Sequence, residues 1–147
     1  AHGRWREFKG LAVATGPGGF TGTRLSVVMA RTLAQQLGCP LLGVSSFALM
    51  AQRLATDEQP FWITQPLLRR GVVAGQYRVR DAVVEELQAP RLLEADQQVS
   101  PAVEAEVDVD VDVAALLGRL QRSLQRDESL PWQPVLPIYP TSPVGPV

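Results

Sequence analysis

An apolar run, Leu11-Ala12-Val13-Ala14, leads into Gly16-Pro17-Gly18-Gly19-Phe20-Thr21-Gly22-Thr23-Arg24, and a helical repeat of apolar residues follows from Leu25 to Leu37. That order reads as strand, glycine-rich turn, helix. Glycine lets such a turn take positive φ or approach another backbone closely. Gly38 and Pro40 stop the helix, and Leu41-Leu42-Gly43-Val44 reads as a short interior strand. Ser45 or Ser46 then caps a second helix carrying Phe47, Leu49, Met50 and Leu54. Strand, helix, strand, helix makes a βαβ unit with a parallel pair.

The first helix carries two apolar stripes. Leu25, Val28, Met29 and Leu33 form one; Val27, Ala30, Ala34 and Leu37 form the other. One stripe suffices to cover a sheet. The second is built partly of small residues, which suits close helix–helix contact or a helix buried on most sides. The helix start offers free N–H groups and a positive dipole end, where an anion or a partner backbone could dock. The alternative is a tight turn that merely starts a helix. Neither common nucleotide loop is present. A Walker loop needs Lys after its last Gly, where Thr23 stands, and the dinucleotide fingerprint needs Gly where Thr21 stands.

Further along, residues 60–65 and 71–79 read as strands flanking Arg69-Arg70-Gly71, with another strand at Val83 to Leu87. Ala89 to Ala105 reads as loop with a short helical turn. Residues 112–126 form an amphipathic helix with Val113, Leu116, Leu117, Leu120 and Leu124 on one face. Arg119, Arg122 and Arg126 fall toward its end, which complements the helix dipole. Residues 3–9, polar but for Trp5 and Phe8, read as a helix end or a lead-in. Residues 1–130 read as one α/β domain and 131–147 as a Pro-rich extended tail.

Charge and special residues narrow the chemistry. The formal net charge is −1, so no global field draws nucleic acid. Cys39 is the lone cysteine and His2 the lone histidine. Cys39 reads as a packed thiol, in keeping with a reducing compartment, and the cytoplasm is the expected location. The uncharged stretch between Arg31 and Arg53 is broken by Gln, Gly, Pro and Ser, so a membrane span is rejected. Asp108, Asp110 and Asp112 imitate a calcium loop, but Val113 and Arg119 stand where Gly and Glu are needed, so they read as a helix lead-in. Arg69, Arg70, Arg78 and Arg80 could meet nucleic-acid phosphates. Neighbouring acidic residues favour a solubilising, edge-protecting strand instead. Ser45 and Ser46 lack a histidine partner, so no catalytic residue and no metal site is assembled.

The glycine-rich segment, with Ala30-Arg31-Thr32-Leu33-Ala34 and Pro40-Leu41-Leu42-Gly43-Val44-Ser45-Ser46 after it, resembles the TsaB (YeaZ) family. The resemblance is specific from Gly10 to about Ala51, general through Gln76-Tyr77, and faint at Leu136-Pro137-Ile138-Tyr139-Pro140. Gly19 stands where the family commonly has Ser, and Leu67, Leu68 and Val72 stand where it has acidic and small residues. The family's amino-terminal strands and first helix have no counterpart, so the chain reads as a carboxy-terminal portion, a truncated gene product or a recombinant piece. Its strand at 10–15 would then lack a neighbour, and the lone chain is expected to be unstable or self-associated.

The resemblance implies an α/β fold, a partial actin-like ATPase (ribonuclease H-like) domain with a mixed sheet and flanking helices. It implies a non-catalytic scaffold and activator in tRNA N6-threonylcarbamoyladenosine synthesis. A TsaD-like catalytic subunit and a TsaE-like ATPase would be its partners, with a homodimer as the other pairing. The helix at 21–37 would form the interface through Val27, Ala30, Arg31 and Ala34, behind the glycine loop of Gly16, Pro17, Gly18, Gly19, Phe20, Thr21, Gly22 and Arg24. ATP would be used by the complex, with no cofactor bound by this chain alone, and tRNA contact would be indirect or weak. The alternatives are a nucleotide- or phosphate-binding enzyme of the same superfamily, once described as peptidase-like, and a non-functional remnant.

Overall fold

The computed structural model describes residues 9–17, 20–67 and 69–138. Most of the polar lead-in at 3–9, together with Gly18, Gly19, Leu68 and everything from Tyr139 onward, lies outside them, as do the side chains of Phe20, Thr21 and Gly22. The elements run β1 (Leu11–Ala14), α1 (Phe20–Leu37), β2 (Leu41–Val44), α2 (Ser46–Leu54), β3 (Phe61–Leu67), β4 (Gly71–Arg80), β5 (Val83–Leu92), β6 (Ala102–Glu104) and α3 (Val109–Gln125).

The βαβ unit forms as its punctuation dictates. β1 and β2 pair in parallel, with Leu11 opposite Leu41 and Ala14 opposite Val44. Gly38 sits at φ +64°, and the Cys39 N–H donates back to the Ala34 carbonyl at 3.2 Å. That left-handed residue and its backward bond end α1 in a Schellman arrangement. Ser45 caps α2, its Oγ accepting from the Ala48 N–H at 3.0 Å. Among the described residues no strand pairs with the free edge of β1.

The second sheet has the order β5-β4-β3-β6, with β3 and β6 parallel and the other pairs antiparallel. Period-2 alternation sorts its faces. Phe61, Ile63, Val73 and Tyr77 point into the main core with Phe47 and Met50 of α2, while Trp62 and Ala74 join Leu93 in a smaller cluster. A further cluster, Val13, Val27, Ala34 and Leu41, lies between α1 and the parallel pair.

Four expectations need correction. Residues 89–105 are loop only from 93 to 101: β5 continues to Leu92, and β6 (Ala102–Glu104) adds a strand. Irregular register against β4 and Pro90 on an edge strand hide the alternation. β4 is an interior strand, so Arg78 does not protect an edge; it pairs with Glu85 across to β5 at 2.7 Å. α3 begins at Val109, capped by Asp108, and Val113 and Leu117 are exposed while Leu120 is buried. Their face is wider than the helix's contact with the core.

The fourth concerns the tail, whose described part does not stand apart. The Ile138 N–H donates to the Thr15 carbonyl at 2.8 Å, and just before the tail the Leu130 carbonyl accepts from the Leu41 N–H at 2.9 Å. Trp132 and Val135 pack on the α1 cluster. Gly43 makes this possible, because a Cβ there would lie 2.8 Å from Val135 Cγ1.

Candidate functional site

The glycine loop is anchored where β1 enters it. Thr15 is buried and its N–H donates to the Val44 carbonyl, while the Gly16 carbonyl accepts from the Ser46 N–H at 2.8 Å. The turn is thereby tied to the start of α2 before it launches α1.

The two stripes of α1 face the reverse of the expected way. Val27 and Ala34 are 0% exposed, packed on β1 and β2. Ala30 is half-buried against the same cluster. Leu25, Val28, Met29 and Leu33 are 64, 52, 67 and 39% exposed. The small residues therefore serve close helix–sheet packing, and the bulky stripe is the outward one. Arg31, the fourth expected interface residue, is a clamp on the carboxy-terminal segment. Its guanidinium donates to the carbonyls of Trp132, Gln133 and Val135 and lies 5.2 Å from the centre of the Trp132 ring. Arg24 is exposed on the first turns of α1.

A polar node lies behind the loop. β5 places Glu86 opposite Tyr77 of β4. Tyr77 Oη donates to Glu86 Oε2 at 2.8 Å, and Ser45 Oγ donates to the same oxygen at 2.7 Å. The two hydroxyls are 3.2 Å apart. Ser45 thus spends its hydroxyl on a helix cap and a carboxylate, which is structural work. Thr15, Ser45 and Glu86 also line a cavity of about 400 Å³ beneath the 129–138 segment.

Burial, more than any neighbour, pushes the Tyr77 phenol well above its ordinary value, and the Glu86 carboxylate raises it further. The folded value lies above the unfolded one. The stabilisation that this group supplies is therefore full below about pH 10 and is lost as the pH climbs beyond it. In an alkaline titration followed by phenolate absorbance, the native protein should show one fewer ordinary tyrosine than the urea-unfolded protein. Tyr77→Phe should remove that difference. Equal ordinary titration in both states would contradict the node.

Other charged candidates find ordinary partners. Asp108 Oδ1 accepts from the Val111 N–H, and Asp112 pairs with Arg53 at 3.3 Å. Arg78 holds the Glu85 carboxyl below the usual range. Burial raises the Cys39 thiol. Among the described residues no group of His, Cys, Asp or Glu could hold a metal ion, and no helix is long and apolar enough to cross a membrane.

Sequence reasoning missed the Ser45–Tyr77–Glu86 node and the Arg31 clamp. One available signal was Gly43, since an isolated glycine in a strand marks close backbone approach. Trp132 within a Pro-rich stretch was another.

A family model described as "TsaD: tRNA N6-adenosine threonylcarbamoyltransferase" matches residues 1–105. The "tRNA threonylcarbamoyladenosine biosynthesis protein TsaB" of Bacillus subtilis is 34% identical over 86 residues, which are 56% of this chain and 36% of that protein. The protein of the same description from Buchnera aphidicola is 35% identical over 48 residues, or 33% of this chain and 23% of that one. The matched stretches thus span little more than a third of the first relative and less than a quarter of the second. YeaZ from Pseudomonas aeruginosa matches in structure with a TM-score of 0.67 at 21% identity, covering 91% of this chain and 75% of that one. A second structure, titled as an uncharacterized protein with similarity to peptidase YeaZ from the same organism, matches at 0.69 and 20% identity, over 93% and 76%. The chain therefore shares the mixed α/β fold of these two structures.

Proposed function

We propose that this chain, which belongs to the TsaD family and has TsaB (YeaZ) proteins among its relatives, is a docking subunit for tRNA N6-threonylcarbamoyladenosine formation. It holds a TsaD-like catalytic partner through the outward face of α1. The observation that carries this reading is the row Leu25, Val28, Met29 and Leu33, exposed on a helix whose opposite face is locked into the core. Contiguous apolar surface of this kind marks an interaction site. A rigid helix presents such a row at little entropic cost, because its backbone is already ordered.

The partner performs the transfer chemistry, and ATP is consumed by a TsaE-like ATPase of the assembly. Contact with tRNA comes mainly through the partner, since Arg78 is committed to Glu85 and the net charge is −1. A second copy of the chain would compete for the same patch, because a two-fold contact reuses one surface.

The test is titration calorimetry against the TsaD-like protein of the same genome. Met29→Glu combined with Leu25→Glu should weaken binding by about a hundredfold or more, on the order of 2.7 kcal/mol. The melting temperature should stay close to that of the parent. Undiminished binding by the folded double variant would sink the docking reading.

A further inference from the structure

α3 ends in arginines at helical spacing: Arg119, Arg122 and Arg126 lie three and four residues apart, so their side chains share one side of the helix. All three line a cavity of about 500 Å³, whose other walls include the apolar side chains of Leu42 of β2, Leu49 of α2 and Val84 of β5 together with the uncharged polar Gln52 and Ser123. Glu128 is the one carboxylate on its wall. The volume falls within the roughly 300–1,000 Å³ of small-molecule sites.

The arginines are not used by the fold. Among the described residues none of the three forms a side-chain hydrogen bond or a salt bridge. Nη1 of Arg119 is buried without a hydrogen-bond partner. Burial lowers the Arg119 pKa from its ordinary value and the charge of Arg122 lowers it further, with Glu86 and Tyr77 offsetting part of this. A buried guanidinium donor left unpaired beside a like charge is costly. Arg53 and Arg78 each leave one buried guanidinium nitrogen without a hydrogen-bond partner as well, but both hold a carboxylate, which Arg119 does not.

A ligand with several anionic oxygens removes that cost. Guanidinium forks match phosphate oxygens two at a time. The opposite wall offers no charge, so it suits the uncharged body of the same ligand. The geometry points to a site for a small organic phosphate, its phosphate on Arg119, Arg122 and Arg126 and its body against Leu42, Leu49 and Val84. The site lies at the β4–β5 turn end of the hairpin, away from Arg69 and Arg70 at the other end of β4. It is separate from the outward face of α1 and does not rest on the docking role.

Titration calorimetry on the 147-residue chain tests this with pyrophosphate, AMP and glucose 6-phosphate as probes. At least one organic phosphate should bind with a Kd of about 1 mM or below, more tightly than pyrophosphate. Arg122→Gln and Arg126→Gln, both at exposed positions, should each weaken it by about tenfold. Arg91→Gln, an exposed arginine on the far end of β5, should leave it unchanged. Circular dichroism keeps loss of fold apart from loss of binding. No saturable binding of any probe by about 10 mM would overturn the site. So would equal affinity in the parent and both α3 variants, or equal weakening by Arg91→Gln. Pyrophosphate binding as tightly as both organic probes would overturn the assignment of the apolar wall.

Discussion

Ala34→Glu is expected to unfold the chain rather than loosen a complex. Ala34 has no exposed surface and packs with Val27, Val13 and Leu41 between α1 and the parallel pair. A carboxylate there meets no cation in that cluster. Its effective desolvation cost is several kcal/mol, and the added volume costs about 1–3 kcal/mol more. Together these rival the whole stability of a small domain, roughly 5–15 kcal/mol. Urea and thermal melts followed by circular dichroism should show the cooperative transition lost or moved far toward denaturing-free conditions. Met29→Glu, on the outward face of the same helix, should change stability by less than about 0.5 kcal/mol. If Ala34→Glu melted like the parent, the facing of α1 described above would be reversed.

Ending the chain after Leu130 is the second large effect. The segment from Pro131 to Ile138 carries Trp132 and Val135 into the α1 cluster, and it supplies the carbonyls that take up Arg31. Its Ile138 N–H also satisfies the Thr15 carbonyl at 2.8 Å. Losing the buried part of a large aromatic and of a valine, and leaving Arg31 without its acceptors, should cost about 3–5 kcal/mol. For a domain of this size that is a drop of roughly 10 °C or more in melting temperature. Trp132→Ala should reproduce about half of it. A truncated chain with an unaltered melt would show that the segment is the independent tail its composition suggests.

How far the residues alone could be read follows from the range over which each effect acts. The βαβ unit was legible because its signals are local. Gly38 and Pro40 end α1, Ser45 caps α2, and apolar runs flank them, each acting within a few residues. The β3–β4 hairpin was legible for the same reason, through Arg69-Arg70-Gly71. β5 beyond Leu87 was not, because edge strands tolerate proline and irregular register, which erase the alternation that marks a strand.

The candidate sites divide along the same line. That α1 carries two apolar stripes, and that a glycine loop precedes it, followed from the sequence alone. Which stripe faces inward did not. Periodicity specifies an angle between stripes and is silent on what lies opposite each. Only the docked helix shows that the small residues Ala30 and Ala34 allow close approach to β1 and β2, leaving Leu25 and Met29 outside. Arg31 entered only through the family resemblance, as an interface residue, yet its partners lie more than a hundred residues away at Trp132 and Val135. The Ser45–Tyr77–Glu86 node and the α3 arginine cavity likewise join residues from separate elements. Residue types and spacing determined the local elements and the family resemblance. The long-range contacts that turn a stripe inward, clamp a tail and orphan a guanidinium exist only once the chain has closed on itself, and the tertiary structure alone decided them.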